Sequence, residues 1–455
     1  MPRLTKLSLA LLLAGAASAQ AAEAAADRPL PARQAEIDAI VKEISPQRIQ
    51  AYVNKLVSFG TRHTMSDTTS ETRGIGAARR WIKSEMERCG AGKLEVRFDG
   101  HLHPVDNRID KPTEIVNVVA TLPGTQAASK DRMYVVSGHY DSRVTDVMNT
   151  TADAPGANDD ASGTAAVIEM ACVMARHKFD ATLVFMTVAA EEQGLYGAGD
   201  FAKKAKAAKW NIAGMLNNDS IGSSHDEKGK KDASRVRLFA EGVPPVKDTT
   251  PELRTLLQTG GENDSITRQL ARHVKETGER YVPDFKVDII YRRDRYLRGG
   301  DHSPFLDAGY AAVRFTEPNE DFNHQHQDLR TEKGVKIGDL PEFVDPEYVA
   351  QVTRVNAASL ASLALAPAAP QEVKVKTAAL DNGTDLVWKA NAEPDVAGYR
   401  VVWRETTSPL WQGSRFVGNT TTARIDMSKD NVLYGVQAVD KDGNVSPATY
   451  PLPMR

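Results

Sequence analysis

Apolar residues recur at helical intervals in the first patterned stretch of the chain. Over 34–44 they fall at Ile37, Ile40, Val41 and Ile44, and over 48–57 at Ile49, Tyr52, Val53, Leu56 and Val57. Each set predicts an amphipathic helix. Ser45-Pro46 between them fits an N-cap followed by proline at the first helical position. A third helix is predicted over about 72–88, ending at Gly90, from Ile75, Ala78, Trp81, Ile82 and Met86. The pattern then changes. Residues 113–122 and 132–137 read as strands, 183–189 is nearly continuous apolar with β-branched residues, and 215–216 and 311–315 are shorter versions. Helical stretches at 162–176, 197–208 and 266–278 separate several of them. Such alternation predicts an α/β fold with a mixed, largely parallel sheet sandwiched by helices. Ligands in such folds sit beyond the carboxyl ends of strands.

Two segments break the alternation. Residues 223–258 are polar, with DEKGKKD and a Pro-rich PPVKDTTPE, and read as a long loop or an insertion over the sheet edge. Residues 364–370, LALAPAAP with its neighbour, read as a short stiff linker. From 371 to 455 the period is two, with turn residues between the runs, so a small all-β sandwich is expected. Trp388, GYRVVW with Tyr399 and Trp403, Tyr434 in YGVQAVD and the DGNVS turn make this stretch resemble a fibronectin type III domain. There Trp388 would fill the core and Tyr434 would make the tyrosine-corner hydrogen bond. The resemblance implies a spacer or surface-binding module, with possible contact to a surface or polymer.

The first 22 residues are set apart. Arg3 and Lys6 precede the apolar run Leu7–Leu13, and Ala17-Ser18-Ala19 fits a small-x-small cleavage signal. This predicts a removable secretory signal peptide, too short to be a membrane anchor, and a periplasmic or secreted product. The formal net charge of -3 argues against nucleic acid or an anionic membrane as the main partner. With 41% hydrophobic residues a sizeable core can form. Of the two cysteines, Cys172 lies in the apolar run AAVIEMACVMA and reads as a buried thiol; a bond to Cys89 is permitted in that compartment without being indicated by any pattern.

The candidate chemistry gathers at the ends of the apolar runs. His139 follows one strand, Asp159-Asp160 opens a helix, Glu191-Glu192 closes the most apolar strand, and Asp219 and the segment with His324 and His326 follow two more. Imidazoles and carboxylates are ligands for zinc, and two such ions need a bridging carboxylate, terminal ligands and a base that is not a ligand. Asp141, two residues from His139 on an extended backbone, can accept its free ring N–H and set the tautomer. Two adjacent acids cannot both face the same ions in regular backbone, so Asp159 is expected to bridge while Asp160 caps the helix or orients a ligand. Two consecutive carboxylates at the mouth of a buried strand are costly without metal or protons. One is expected to ligate and the other to take a proton from water. His324 and His326 compete for the last place, and chemistry alone does not choose. Asp301-His302 is an additional polar pair, a support for the ligands or a structural pair.

In this order, GHYDS, PGANDDASG, AAEEQGLYGA, NND, GGDHSPFLDAGY and HQHQD resemble the co-catalytic zinc aminopeptidases of the aminopeptidase S and Y type, over about 34–363. The resemblance implies two zinc ions per chain, with His139, Asp159, Glu192, Asp219 and His324 as ligands, Asp159 bridging and Glu191 as general base. His324 is favoured because in that family the last His stands four residues before an Asp, as His324 does before Asp328. Tyr296, or Arg298 in its place, is the candidate oxyanion donor, and Asp141 joins Glu191 in the catalytic set. The implied activity is removal of N-terminal residues from peptides or proteins. A carboxypeptidase or dipeptidase on the same core would need a basic pocket, which Arg292, Arg293, Arg295 or Arg298 could supply. A glutaminyl cyclase-like acyltransferase shares the fold but typically works with one zinc.

Overall fold

A computed structural model describes residues 32–243 and 250–454; the leader read over 1–22 lies outside the described residues. The chain divides into two units. One holds residues 33–243 and 264–365 and the other 250–263 and 366–454.

The first unit opens with α1 (Ala35–Glu43), α2 (Pro46–Val57) and α3 (Gly74–Gly90). Ser45 caps α2 by accepting from the Arg48 amide, with Pro46 at the first helical position. Strands β1 (Glu95–His103), β2 (Thr113–Leu122) and β3 (Arg132–His139) follow. Then come α4 (Ala161–Met174), β4 (Thr182–Val188), α5 (Tyr196–Ala207), β5 (Asn211–Asn218) and β6 (Arg235–Ala240). After α6 (Pro251–Gln258), which belongs to the second unit, the chain returns through α7 (Ile266–Tyr281), β7 (Lys286–Ile290), α8 (His302–Asp307) and β8 (Ala312–Thr316). The hairpin β9 (Arg330–Glu332) and β10 (Val335–Ile337) precedes the long α9 (Pro346–Leu365).

Eight strands form one sheet in the order β1-β2-β4-β3-β5-β8-β6-β7. The pairs β4–β3, β3–β5, β5–β8 and β6–β7 are parallel, while β1–β2, β2–β4 and β8–β6 are antiparallel. The sheet is therefore mixed, with a parallel centre. The apolar centre is explained by cover on both faces: β4 is buried at every position. One face packs on α4, itself buried throughout, together with apolar residues of α1, α2, α3, α7 and α9. The other packs on α5 and α8 through Ala198, Phe201, Phe305 and Leu306.

Three expectations change here. The polar stretch 223–258 is not one loop: it contains β6 and α6, and α6 groups with the second unit. The stretch read as a linker starts inside α9, which runs through Ala364 and Leu365. Cys89 and Cys172 are disulfide-bonded, so Cys172 is not a thiol. It lies on α4, and α3 packs against that helix so that their side chains meet. Apolar patterning locates both helices without revealing that they touch.

In the second unit, β11 (Gln371–Lys376), β12 (Thr384–Lys389), β13 (Val396–Glu405), β14 (Gly413–Gly418), β15 (Thr422–Ile425), β16 (Val432–Asp440) and β17 (Leu452–Met454) form two sheets. Their orders are β15-β12-β11-β17 and β14-β13-β16. Trp388, Tyr399 and Tyr434 are buried in a common core. The Tyr434 hydroxyl donates to the Met427 carbonyl at 2.9 Å.

Candidate metal centre

The parallel strands β4, β3, β5 and β8 deliver their carboxyl ends to one edge of the sheet. His139 is the last residue of β3, Glu191-Glu192 follows β4, and Asp219 follows β5. Asp159 precedes α4, whose first residue is Ala161. Donor atoms of His139, Glu191 and Asp219 lie within 4.8 Å of one another, as do those of Asp159, Glu192 and His326.

Asp159 joins the two groups. Its Oδ1 is 3.0 Å from His139 Nε2, and its Oδ2 is 2.8 Å from His326 Nε2. Its backbone N–H, like that of Asn158, donates to the Asp339 carboxylate, at 2.8 and 2.7 Å respectively. Gln325 Nε2 donates to Asp159 Oδ2 at 2.9 Å. Asp160 faces elsewhere. It accepts from the Gly163 amide at the start of α4 and from the His139 amide. Asp141 accepts from the Glu191 and Glu192 amides at 3.3 and 3.2 Å, and its Oδ1 is 3.5 Å from His139 Nδ1. One carboxylate thus fixes the Glu-Glu turn and faces the histidine ring.

The last histidine differs from the expected one. His324 stacks on Phe343 with centroids 3.5 Å apart and pairs with Asp321 at 2.9 Å, away from the cluster. His326 has φ +54, a left-handed backbone that breaks the alternation of side chains and turns its ring to Asp159 and Glu192. Spacing to Asp328 carries no information about that turn. Nor does the structure bring Tyr296 into the cluster. It is 82% exposed, and the Arg292 guanidinium lies 4.3 Å from its ring centroid. Arg298 pairs with Glu320 at 2.9 Å.

The charge balance of the cluster is unusual. His326 would be lowered by burial, but Glu192 and Asp159 hold it up to about 10. His139 is likewise raised against burial by Asp141 and Asp159. Asp159 is held well below the usual carboxylate range because His326 and His139 outweigh its burial. Burial pushes Glu191 well up. Buried Asp301 is pushed up to about 8, chiefly by burial. A dense set of carboxylates is therefore compensated by protons, the environment that a bound cation replaces. The Nε2 of His326 lies 2.9 Å from Glu192 Oε1, yet neither atom is aligned as a hydrogen bond. Two imidazoles and four carboxylates, with buried donor atoms left in that state, fit divalent zinc.

Two arginines were not evident from sequence. Arg143 Nε is 3.0 Å from Glu192 Oε2, and its Nη2 is 2.7 Å from His326 Nδ1. Arg314, fully buried on β8, places Nη2 2.9 Å from Asp219 Oδ1 and Nη1 2.9 Å from both oxygens of Asp294. An arginine inside the apolar strand AVRFT was the available signal, because a buried guanidinium requires anionic partners.

A family model described as Peptidase family M28 matches residues 117–333. A "Probable zinc metalloprotease" of Leptosphaeria maculans is 51% identical over 93% of this chain and 98% of its own length. The chain belongs to peptidase family M28. It is accordingly a hydrolase acting on peptides. A protein of Pyricularia oryzae, also named "Probable zinc metalloprotease", is 52% identical over 92% of this chain and 85% of its own. The M28 fold is also seen in the Legionella pneumophila LapA aminopeptidase, with TM-score 0.50, 18% identity, and coverage of 74% of this chain and 77% of that one. An aminopeptidase from Aneurinibacillus sp. strain AM-1 gives TM-score 0.50 at 15% identity, covering 71% and 95%.

Proposed function

We propose that this M28 chain is an exported two-zinc aminopeptidase. The observation that carries the reading is the pair of donor groups joined through Asp159. His139 and Asp219 would hold one ion, Glu192 and His326 the other, and Asp159 would bridge. When bound, the ions supply Lewis acidity that polarises a carbonyl and lowers the pKa of water. Glu191 is the carboxylate left over from the ligand set. It stands against His139 and Asp219, and burial raises its proton affinity, as suits a group that accepts a proton from water and passes it to the leaving amine. Asp141 keeps the Glu191-Glu192 turn and the His139 ring in register.

The motif order supports aminopeptidase action, and the names of the LapA and Aneurinibacillus fold neighbours are consistent with it. The arginines that a carboxypeptidase would use are engaged: Arg293 with Glu241 and Asp307, Arg295 and Arg298 with Glu320, and Arg292 with Tyr296. The Cys89–Cys172 bond supports an oxidising compartment and hence export. The fibronectin type III-like reading of the second unit is supported by the Trp388 core and the Tyr434 hydrogen bond. The decisive experiment is Glu191→Gln with metal analysis. Release of N-terminal residues should fall by at least ~10²-fold with two zinc ions per chain retained. Zinc lost along with activity would overturn the role of Glu191 as a non-ligand.

A further inference from the structure

Beside the metal centre, the first unit contains a cavity of about 740 Å³. Its wall is built from three places: the end of β1, the start and outer face of α5, and α8. Sheet direction puts it next to the chemistry. β1 is antiparallel to β2, and β2 to β4, so β1 runs with β4 and its last residues, His101–His103, lie at the edge that carries His139 and Glu191. Register shows the same: Val118 of β2 pairs with Thr187, near the end of β4, whereas β2 begins at Thr113 opposite His103. β1 thus projects past the end of β4.

Two segments of the wall continue from the metal centre itself. The Gly194 and Leu195 amides donate to the Glu191 carbonyl at 2.9 and 3.0 Å. On the other side, Ser303 follows Gly300, where a Cβ would stand 3.1 Å from Asp219 Oδ2. These segments meet at Gly299, whose Cβ would have Ser303 Oγ at 3.6 Å and Leu195 Cδ1 at 3.8 Å.

The charges in the wall are unequal in status. Asp200 is paired with Lys204 and Asp307 with Arg293. Lys203 and Lys206, both lining the cavity, have no ion-pair partner among the described residues. The His103 ring stacks at 3.9 Å on Tyr196, the first residue of α5, about 10 Å along the helix from Lys203. Two exposed lysines that line a cavity without an ion-pair partner of their own favour an anionic group in it.

We propose that this cavity is a substrate subsite in which Lys203 and Lys206 receive a substrate carboxylate. The inference rests on the peptidase reading above and adds a specificity to it. The carboxylate has two possible sources, an Asp or Glu side chain or the free C terminus of a short peptide, and hydrolysis of four peptides separates them. Leu-Ala-Ala-amide is the neutral reference; Leu-Ala-Ala, Glu-Ala-Ala-amide and Leu-Glu-Ala-amide each place one carboxylate differently. With the zinc-loaded full chain, KM for at least one acidic peptide should be about tenfold below the reference. Lys203→Gln/Lys206→Gln should bring the two values together, whereas Lys93→Gln, on an exposed turn outside the cavity, should keep them apart. Equal KM values for all four peptides, or a difference that survives the double substitution, overturns the subsite.

Binding separates this failure from failure of the aminopeptidase reading. Glu191→Gln protein is titrated with the same peptides by calorimetry. A carboxylate preference that disappears with the lysines, without N-terminal cleavage by the wild-type chain, retains the subsite and rejects the aminopeptidase assignment. N-terminal cleavage without any carboxylate preference in binding does the reverse.

Discussion

At the residue scale, the segment HQHQD shows how two similar side chains acquire different work. His326 faces Asp159 and Glu192, while His324 is held by Phe343 and Asp321. Under the two-zinc reading, His326→Ala should reduce bound zinc from two ions per chain to one and abolish peptide release, as read by metal analysis and assay. His324→Ala should keep both ions. Equal metal loss in the two variants would contradict the division. Arg314 makes a separate prediction. It is buried between Asp219 and Asp294, so Arg314→Met removes the cation they share and leaves Asp294 only Arg295 at 3.2 Å. Breaking a buried ion pair from one side costs ~3–5 kcal/mol, and urea unfolding should show a loss of that order. Arg314→Lys should recover only part, because one ammonium cannot reproduce the fork. The ligands at strand ends were legible in sequence because each polar residue terminates an apolar run. The choice of His326 over His324 was not, nor was Arg314, since a left-handed backbone and a buried ion pair leave no periodic trace.

At the element scale, legibility followed burial. The central strands β3 and β4 are buried on both faces and read as apolar runs. β1 is an edge strand, EVRFDGHLH, mostly exposed, and its charged residues hide it in the sequence. β6 lies in a polar stretch and becomes a strand only through its pairing with β7 and β8. The disulfide between α3 and α4 is a related case, since it depends on packing between helices that are distant in sequence. It closes a loop with a separation of 83 residues. On the chain-entropy model, Cys89→Ser/Cys172→Ser should lower stability by about 4.5 kcal/mol. Denaturant midpoints of the oxidised and double-variant proteins measure this, and equal midpoints would mean that the helices hold themselves.

For the whole molecule, acid sensitivity follows from groups buried neutral. His273 on α7 is hydrogen-bonded to Ser362 at 3.1 Å and lowered by burial to about 3. In the unfolded chain its ordinary value is ~6.5. Between these values the unfolded state binds the extra proton, so this contribution to stability is complete above ~6.5 and is lost as pH falls toward about 3. The slope is at most ~1.4 kcal/mol per pH unit. His273→Gln should flatten the acid limb of a melting-temperature curve between about pH 6 and pH 4. An unchanged limb would place the acid sensitivity in other groups. The alternation of strands and helices made the α/β architecture legible, but not the association of α6 with the second unit, because no local pattern encodes which unit a short amphipathic helix joins.

The order in which the donors occur along the chain has a consequence for biosynthesis. His139, Asp159, Glu191, Glu192 and Asp219 are all made before β6, whereas His326 arrives after β8, on a segment followed closely by Asp339, whose carboxylate accepts from the Asn158 and Asp159 amides. A growing polypeptide therefore holds five of the six donors long before His326 exists. Under the two-zinc reading, the last strand of the large sheet must be made before the donor set is complete. Under that reading, a chain ending before His326 should bind one zinc ion fewer than the full chain.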